Sequence, residues 1–367
     1  MRIYIKGYVL ILAVMVSVIL HQPEVVTGQA RVPAMFVLGD SLVDAGNNNF
    51  LQSIARANYL PYGIDLNSRP TGRFSNGLTF VDLLAQLLGL PPPPAFADPT
   101  TTGNKTLQGV NYASAAAGIL DESGQHYGAR FSLTQQMVNL ETTLNRSRTL
   151  MNPKAYKDYL ARSLVVLVFG SNDYINNYLM PNIYASSYRY GPPDFANMLI
   201  NQYTCELMTL YSLGLRKIFI AGVGPLGCIP NLRAIGLAPP GRCIDGVNKI
   251  LGTFNQGLRS LVDQLNKRSP GAIYVYGNTY NAIGDILNNP AAYGFSVVDK
   301  ACCGLGRNQG LITCMPLQTP CVNRTQYFFW DAFHPTQTAN SILARRAFYG
   351  SPSDAYPLNV QQMTFFR

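Results

Sequence analysis

The sequence predicts an α/β fold, a single domain whose parallel sheet is covered by helices on both faces. Three observations carry this. Short apolar runs at 34–38, 164–169, 217–223 and 272–276 proceed without alternation, as strands buried on both faces do. Between them lie stretches with apolar residues at helical spacing, and such strand–helix alternation builds a parallel sheet. The 367 residues contain neither an internal repeat nor a linker that would separate a second core from the first.

Taken in order, the chain opens with Arg2 and Lys6 ahead of an apolar run from Tyr8 to Leu20, and Gly28-Gln29-Ala30 offers small residues for cleavage. This run of thirteen residues, apolar but for Ser17, falls short of the ~20 that span a bilayer. Residues 1–30 therefore read as a signal peptide and 31–367 as the mature domain, with no membrane span after cleavage. The first strand, 34–38, stops at Gly39 and delivers Asp40 and Ser41 into a turn. Residues 50–77, rich in Gly, Pro, Asn and Arg, read as a long surface segment. A helix is expected over 79–88, with Phe80, Leu83, Leu84, Leu87 and Leu88 at its spacing, and four prolines at 91–94 end it.

Residues 108–113 read as a short second strand with 115–118 as the turn behind it, and 132–144 as a helix. The 164–169 run is expected to be a central parallel strand. A helix over 194–213 leads to the strand 217–223, which ends at Gly224-Pro225. The helix expected over 247–265 has weak points at Gly252 and Gly257, and the strand 272–276 follows. A cysteine- and glycine-bearing insertion spans 295–330. A final helix is expected over 336–348, with Pro335 at or near its first turn.

Composition narrows the function. With 47% hydrophobic and 13% charged residues the chain can bury a sizeable core. Its net charge of +9 is scattered, with no basic run of five or six, which argues against nucleic acid as a partner. Seven cysteines suit an oxidising compartment, and the odd number leaves at least one unpaired. Cys302, Cys303, Cys314 and Cys321 could staple a long loop, and Cys228 and Cys243 bracket another. No histidine lies near them and no Cys-x-x-Cys pair occurs, so disulfides are expected and no metal. Sequons at Asn104, Asn145 and Asn323 are glycosylation sites if the chain enters the secretory pathway.

Acyl transfer needs a nucleophile, a base, an orienting acid and donors for the oxyanion. Ser41, just past a buried strand, lies where open α/β sheets place their crevice. Of three histidines, His21 falls in the signal segment, leaving His126 and His334. Asp331, three residues before His334, can fold back onto Nδ1 and free Nε2 for the serine proton. No Gly-x-Ser-x-Gly elbow, P-loop or Rossmann glycine motif is present, so neither an ordinary α/β-hydrolase nor nucleotide binding is expected, and no cofactor is called for.

The blocks "FVLGDSLVDAGNNN", "GVNYAS…GIL", "VFGSNDYINNY" and "DAFHPT", with "RPTGRFSNG", "GVGPLGCIPN" and "CCG", occur in order over roughly residues 32–350. Together they resemble the plant extracellular GDSL esterase/lipases, within the SGNH hydrolases. The resemblance implies a three-layer α/β/α domain with a flavodoxin-like parallel sheet of about five strands. It implies a secreted serine esterase/lipase of the cell wall or apoplast, with an ester substrate such as a lipid, a cutin monomer or an acylated wall component. Ser41 would attack, His334 relay the proton and Asp331 hold His334. The Ser41 N–H, Gly118 and Asn172 would bind the oxyanion. The chain departs from the family in carrying Ala115, Ala116 and Ala117 after "NYAS", where glycines are usual and supply left-handed freedom. An acyltransferase, a polysaccharide O-acetylesterase and a non-catalytic wall or lipid-binding glycoprotein remain alternatives.

Overall fold

Runs of Val, Ile, Leu and Phe without polar alternation must be covered on both faces. The computed structural model, which describes residues 30–236 and 238–366, buries them so. Strands β1 (Met35–Gly39), β2 (Leu164–Val168), β3 (Lys217–Ala221) and β4 (Ile273–Gly277) are buried at every residue. They pair in parallel in that order, with Gly39, Val168, Ala221 and Gly277 aligned across the sheet. The four carboxyl ends are therefore level and form one continuous edge. Of the expected signal segment, residues 1–30, all but Ala30 lies outside the described residues.

The 295–330 insertion builds two small sheets of its own: β5 (Val297–Ala301) pairs with β8 (Tyr327–Phe329), and β6 (Gly304–Leu305) with β7 (Ile312–Thr313). Disulfides Cys302–Cys321 and Cys303–Cys314 staple it, Cys228–Cys243 closes the other loop, and Cys205 is the odd, exposed cysteine. Strand β9 (Ala355–Tyr356) completes the main sheet as a fifth, antiparallel strand on β4.

Helices α1 (Phe80–Leu88), α2 (Leu133–Arg148), α3 (Pro153–Arg162), α4 (Pro192–Ser212), α5 (Asp245–Arg268), α6 (Thr279–Asn288), α7 (Gln337–Tyr349) and α8 (Val360–Phe365) account for the layers. On one face Phe36, Leu38, Val165, Leu167, Ile218 and Ile220 share a core with Leu140 of α2, Leu199 of α4 and Leu258 of α5. On the other, α1 packs against α7, and Phe80 stacks on Phe219 of β3. The α/β class and the five-stranded, mostly parallel sheet agree with the sequence reading.

Local differences have physical reasons. Of the expected strand 108–113, Gln108 ends a 3-10 turn (Gly103–Gln108), and the rest forms no ladder. Val37 N–H donates to Val110 O and Tyr112 N–H to Val37 O, while Asn111 N–H turns away to Pro94 O. The segment covers the outer edge of β1 through isolated bridges only. Residues 50–77 are not wholly a surface segment, for Tyr62 and Phe74 are buried there against Trp330 and the stapled cysteines. Pro335 precedes α7 rather than entering it, since Thr336 is the N-cap and its side chain accepts from Ala339 N–H. Helix α7 is not the last, because α8 follows, and α3 begins at an Asn152 cap with Pro153 in its first turn.

Candidate active site

The site grows from the end of β1. A Cβ at Gly39 would meet Val43 at 2.5 Å and Val168 O at 2.9 Å, so only glycine lets the chain leave the sheet this tightly. Gln136 of α2 clamps that residue, its Nε2–H donating to Gly39 O and its Oε1 accepting from Gly39 N–H, both at 2.8 Å. Asp40 then closes a turn by accepting Leu42 N–H at 2.9 Å. Ser41 sits at its apex.

The polar run 44–48 builds the opposing wall rather than facing a ligand. Asp44 accepts from Gly46, Asn47 and Ala115 N–H. Asn47 Nδ2 donates to Asn111 O and Ala113 O, and Asn48 Oδ1 accepts from the Ser114 hydroxyl and Ala115 N–H. These bonds hold residues 111–115 against the nucleophile turn. Beyond them Ala116 is forced to φ +68°, a left-handed conformation that alanine adopts at a cost of roughly 1–2 kcal/mol. A Cβ on Gly124 would lie 2.0 Å from Ala116 O, so that glycine leaves the space this turn occupies.

From the far end of the chain the 331–334 loop folds back. His334 Nε2 lies 2.7 Å from Ser41 Oγ, and His334 Nδ1 lies 2.8 and 2.9 Å from the two Asp331 oxygens. Asp331 Oδ1 also accepts from Phe333 N–H and His334 N–H, and Oδ2 accepts the Tyr62 hydroxyl at 2.6 Å. Burial works against the Asp331 charge, but the facing His334 and these hydrogen bonds together hold its carboxyl below the usual range. Asp40 has no cationic neighbour in bonding contact, and burial pushes its carboxyl up to about 7.

Asn172, just past β2, also reaches the site. Its Nδ2 donates to Ala117 O at 2.9 Å and approaches Asp40 Oδ2 at 3.3 Å, while its Oδ1 accepts from Asn176 Nδ2 at 2.6 Å. Asn176 lies in a π-turn (Tyr174–Tyr178) with φ −119° and ψ 26°, a distortion common at functional sites. Asp173 turns the other way and accepts Ile119 N–H, Leu120 N–H and the Ser123 hydroxyl, and burial raises its carboxyl to about 6.

Ser41, His334, Asn172, Asn176, Ala115 and Ala116 line one cavity of about 240 Å³, whose walls are otherwise mostly apolar. Gly118 does not line it. A Cβ there would meet Ser123 and the Asp173 carboxylate, so that residue belongs to the loop Asp173 anchors. Ala116, two residues earlier, does line the cavity. Among the described residues, neither Ser41 N–H nor Ala116 N–H donates to a protein acceptor. His126 stays outside the lining, bonded through Nδ1 to the Tyr184 hydroxyl at 2.7 Å. Tyr62, Gln136 and Asn176 escaped the sequence reading. The last was visible only as the second asparagine of "SNDYIN", one helical turn beyond Asn172.

The model of the GDSL-like lipase/acylhydrolase family matches residues 35–347. The chain belongs to that family. It is similar over nearly its whole length to GDSL esterase/lipase At1g71250 of Arabidopsis thaliana, at 80% identity across 99% of this chain and 97% of the relative. GDSL esterase/lipase At5g08460 of the same plant is 56% identical across 91% of this chain and 88% of its own length. GDSL esterase/lipase 7, also from Arabidopsis thaliana, is 48% identical across 91% and 93%. Membership makes this GDSL protein a carboxylic ester hydrolase.

Proposed function

We propose that this GDSL protein is a secreted serine hydrolase that cleaves lipid-type carboxylic esters through an acyl-enzyme on Ser41. The observation that carries this is the Ser41–His334–Asp331 chain of short contacts at the mouth of an apolar cavity. Ser41 Oγ attacks the ester carbonyl as its proton passes to His334 Nε2, and Asp331 stabilises the imidazolium. The developing oxyanion takes the Ser41 and Ala116 N–H groups and the Asn172 Nδ2–H that points weakly toward Asp40. His334 returns the proton to the alkoxide, the alcohol departs, and water repeats the sequence on the acyl-enzyme. The Tyr62 hydroxyl and the two backbone donors hold Asp331 so that both its oxygens face His334.

Secretion is supported by three disulfides and by the exposure of Asn104, Asn145 and Asn323, which we infer carry glycans. The apolar lining favours a lipid acyl group over an acetylated polysaccharide. Purified protein incubated with p-nitrophenyl esters, with and without acceptor alcohols, tests the reading. Release of p-nitrophenol that Ser41→Ala abolishes is expected, with free acid as the product. Exclusive formation of a new ester would make the enzyme an acyltransferase. Absence of turnover on every ester would sink the reading.

A further inference from the structure

Gln136 is fully buried and does not line the cavity at Ser41, yet its whole side-chain amide is committed beside the two turns that do. Against the outer edge of β1, the stretch after Gly109 builds one bridge, between Val37 and Asn111, and half of the next. Ser114 N–H donates to Gly39 O at 3.0 Å, but no backbone carbonyl among the described residues takes Gly39 N–H. In a continued parallel ladder Tyr112 O would take it. Gln136 Oε1 takes it instead, at 2.8 Å, and Nε2 donates back to Gly39 O at 2.8 Å. The amide thus stands in for a missing peptide group. The other Nε2 proton goes to Phe131 O at 2.8 Å, and Phe131 N–H donates to the Ser114 hydroxyl at 2.9 Å. Gly39, Ser114, Phe131 and Gln136 therefore close a ring of hydrogen bonds.

Two turns hang from that ring. One runs from Asp40 to Val43, closed by Val43 N–H on Asp40 O at 3.2 Å, with Ser41 at its second position. The other runs from Ser114 to Ala117, closed by Ala117 N–H on Ser114 O at 3.1 Å. Ala116 is its third residue, with the positive φ that a type II turn has there. Gly39 precedes the first turn and Ser114 opens the second, and the two meet at Gly39 O. Asp44 and Asn48 also hold Ala115, but of these groups only Gln136 grips Gly39 as well.

We propose that Gln136 is a positioning residue for the ester hydrolysis, setting the spacing between the Ser41 and Ala116 N–H groups so that both reach one oxyanion. This rests on the serine-hydrolase reading of the same site. Such donors act fully only at about 2.7–3.1 Å from the oxyanion, and a displacement of about 1 Å can cost about 10² in rate. Without the amide, Gly39 N–H loses its acceptor and the Phe131–Ser114 arm loses its tie to the nucleophile turn. Binding of the intact ester in the apolar cavity does not depend on that spacing.

The test compares the wild type with Gln136→Met, which keeps the length of the side chain without the amide. The control is Leu144→Ala, which opens a void about two turns further along α2, outside the cavity lining. p-Nitrophenyl butyrate reports turnover. A trifluoromethyl ketone with a butyl chain, whose adduct with Ser41 carries the same oxyanion, reports the donors. Gln136→Met should lower kcat by about 10² with KM within about twofold, and weaken ketone binding by a comparable factor. Leu144→Ala should lower the melting temperature while keeping kcat and ketone affinity near the wild type. Ser114→Ala, which removes the hydroxyl that receives Phe131 N–H, should lower kcat and ketone affinity together by about fivefold. It decides the question if Gln136→Met does not fold. Wild-type kinetics in Gln136→Met, a loss confined to KM, or a ketone that binds undiminished while kcat falls would overturn the proposal. So would an equal loss in Leu144→Ala, or an unchanged Ser114→Ala. A wild type inactive on every ester would instead condemn the hydrolase reading on which it rests.

Discussion

The turn after β1 and the loop before α7 each bring a buried aspartate to Ser41, and the two carboxyls shift in opposite directions. Asp331 faces His334 and takes bonds from the Tyr62 hydroxyl and two N–H groups, and it stays below the usual carboxylate range. Asp40 takes one backbone N–H and a long contact from Asn172, and burial lifts it to about 7. Both are fully enclosed, so burial does not separate them. What differs is the number and charge of the groups pointed at each. On the proposed mechanism the two environments suit two tasks: Asp331 an anion that steadies His334 as it takes the proton, Asp40 a group that shapes the turn.

The sharpest way to break this contrast is to remove the proposed base or the carboxylate that faces it. His334→Ala should lower kcat by about 10⁴ or more, and Asp331→Asn by about 10³–10⁴, since the imidazole would survive in the wrong tautomer. His126→Ala should keep most activity. Steady-state kinetics on variants that melt like the wild type decides it. If His126→Ala is inactive and His334→Ala is not, the two regions have been assigned the wrong way round.

Next in size is the oxyanion side. Asn172→Ala should cost roughly 10²–10³ in kcat with little change in KM, because its donor acts on charge that develops in the transition state. Asn176→Leu, which removes the bond fixing Asn172 Oδ1, should cost about tenfold in kcat with KM again nearly constant. A loss confined to KM would show instead that this pair positions substrate.

Stability against pH sharpens the same comparison. Asp331 has a depressed folded pKa, as does the buried Asp82 paired with Arg73. Their contributions are present above the ordinary carboxylate value and are lost as pH falls through the folded one. Asp40, Asp44 and Asp173 are raised to about 7, 6 and 6. Theirs are complete below the ordinary carboxylate value and are lost as pH rises from it through the folded ones. The melting temperature should therefore peak near about pH 4 and decline from there to about pH 7. Asp40→Asn should flatten that alkaline decline, and an unchanged slope would count against the assignment. The smallest effect is expected at Ala116→Gly, which relieves the left-handed strain against added chain entropy. It should stabilise by about 0.5–1 kcal/mol in denaturant unfolding, with kcat preserved.

The core strands and most helices were legible because their periodicity is local: an unbroken Leu-Val-Val-Leu-Val admits few readings. The residues proposed as nucleophile, base and acid were legible for a different reason, since few histidines compete for the role. The oxyanion wall was not. Which residue of Ala115-Ala116-Ala117-Gly118 faces the cavity depends on bonds from Asp44, Asn48 and Asp173, groups 50 to 71 residues away. The family resemblance pointed to Gly118, whereas tertiary bonding brings Ala116 to the cavity wall. Tyr62 was lost in a segment whose polar composition hides two buried rings, and the 108–113 stretch pairs only through isolated bridges at Asn111, to Val37 and to Ala95.

Ser41 and His334 meet across 293 residues, and β9, the last strand of the sheet, is added after both. Contacts of such sequence separation form late, because the closure entropy of the whole intervening chain must be overcome first. A growing polypeptide that has not passed residue 334 carries its hydroxyl without the imidazole. On the proposed mechanism, a chain that stops short of His334 would hold the serine of the site without its base.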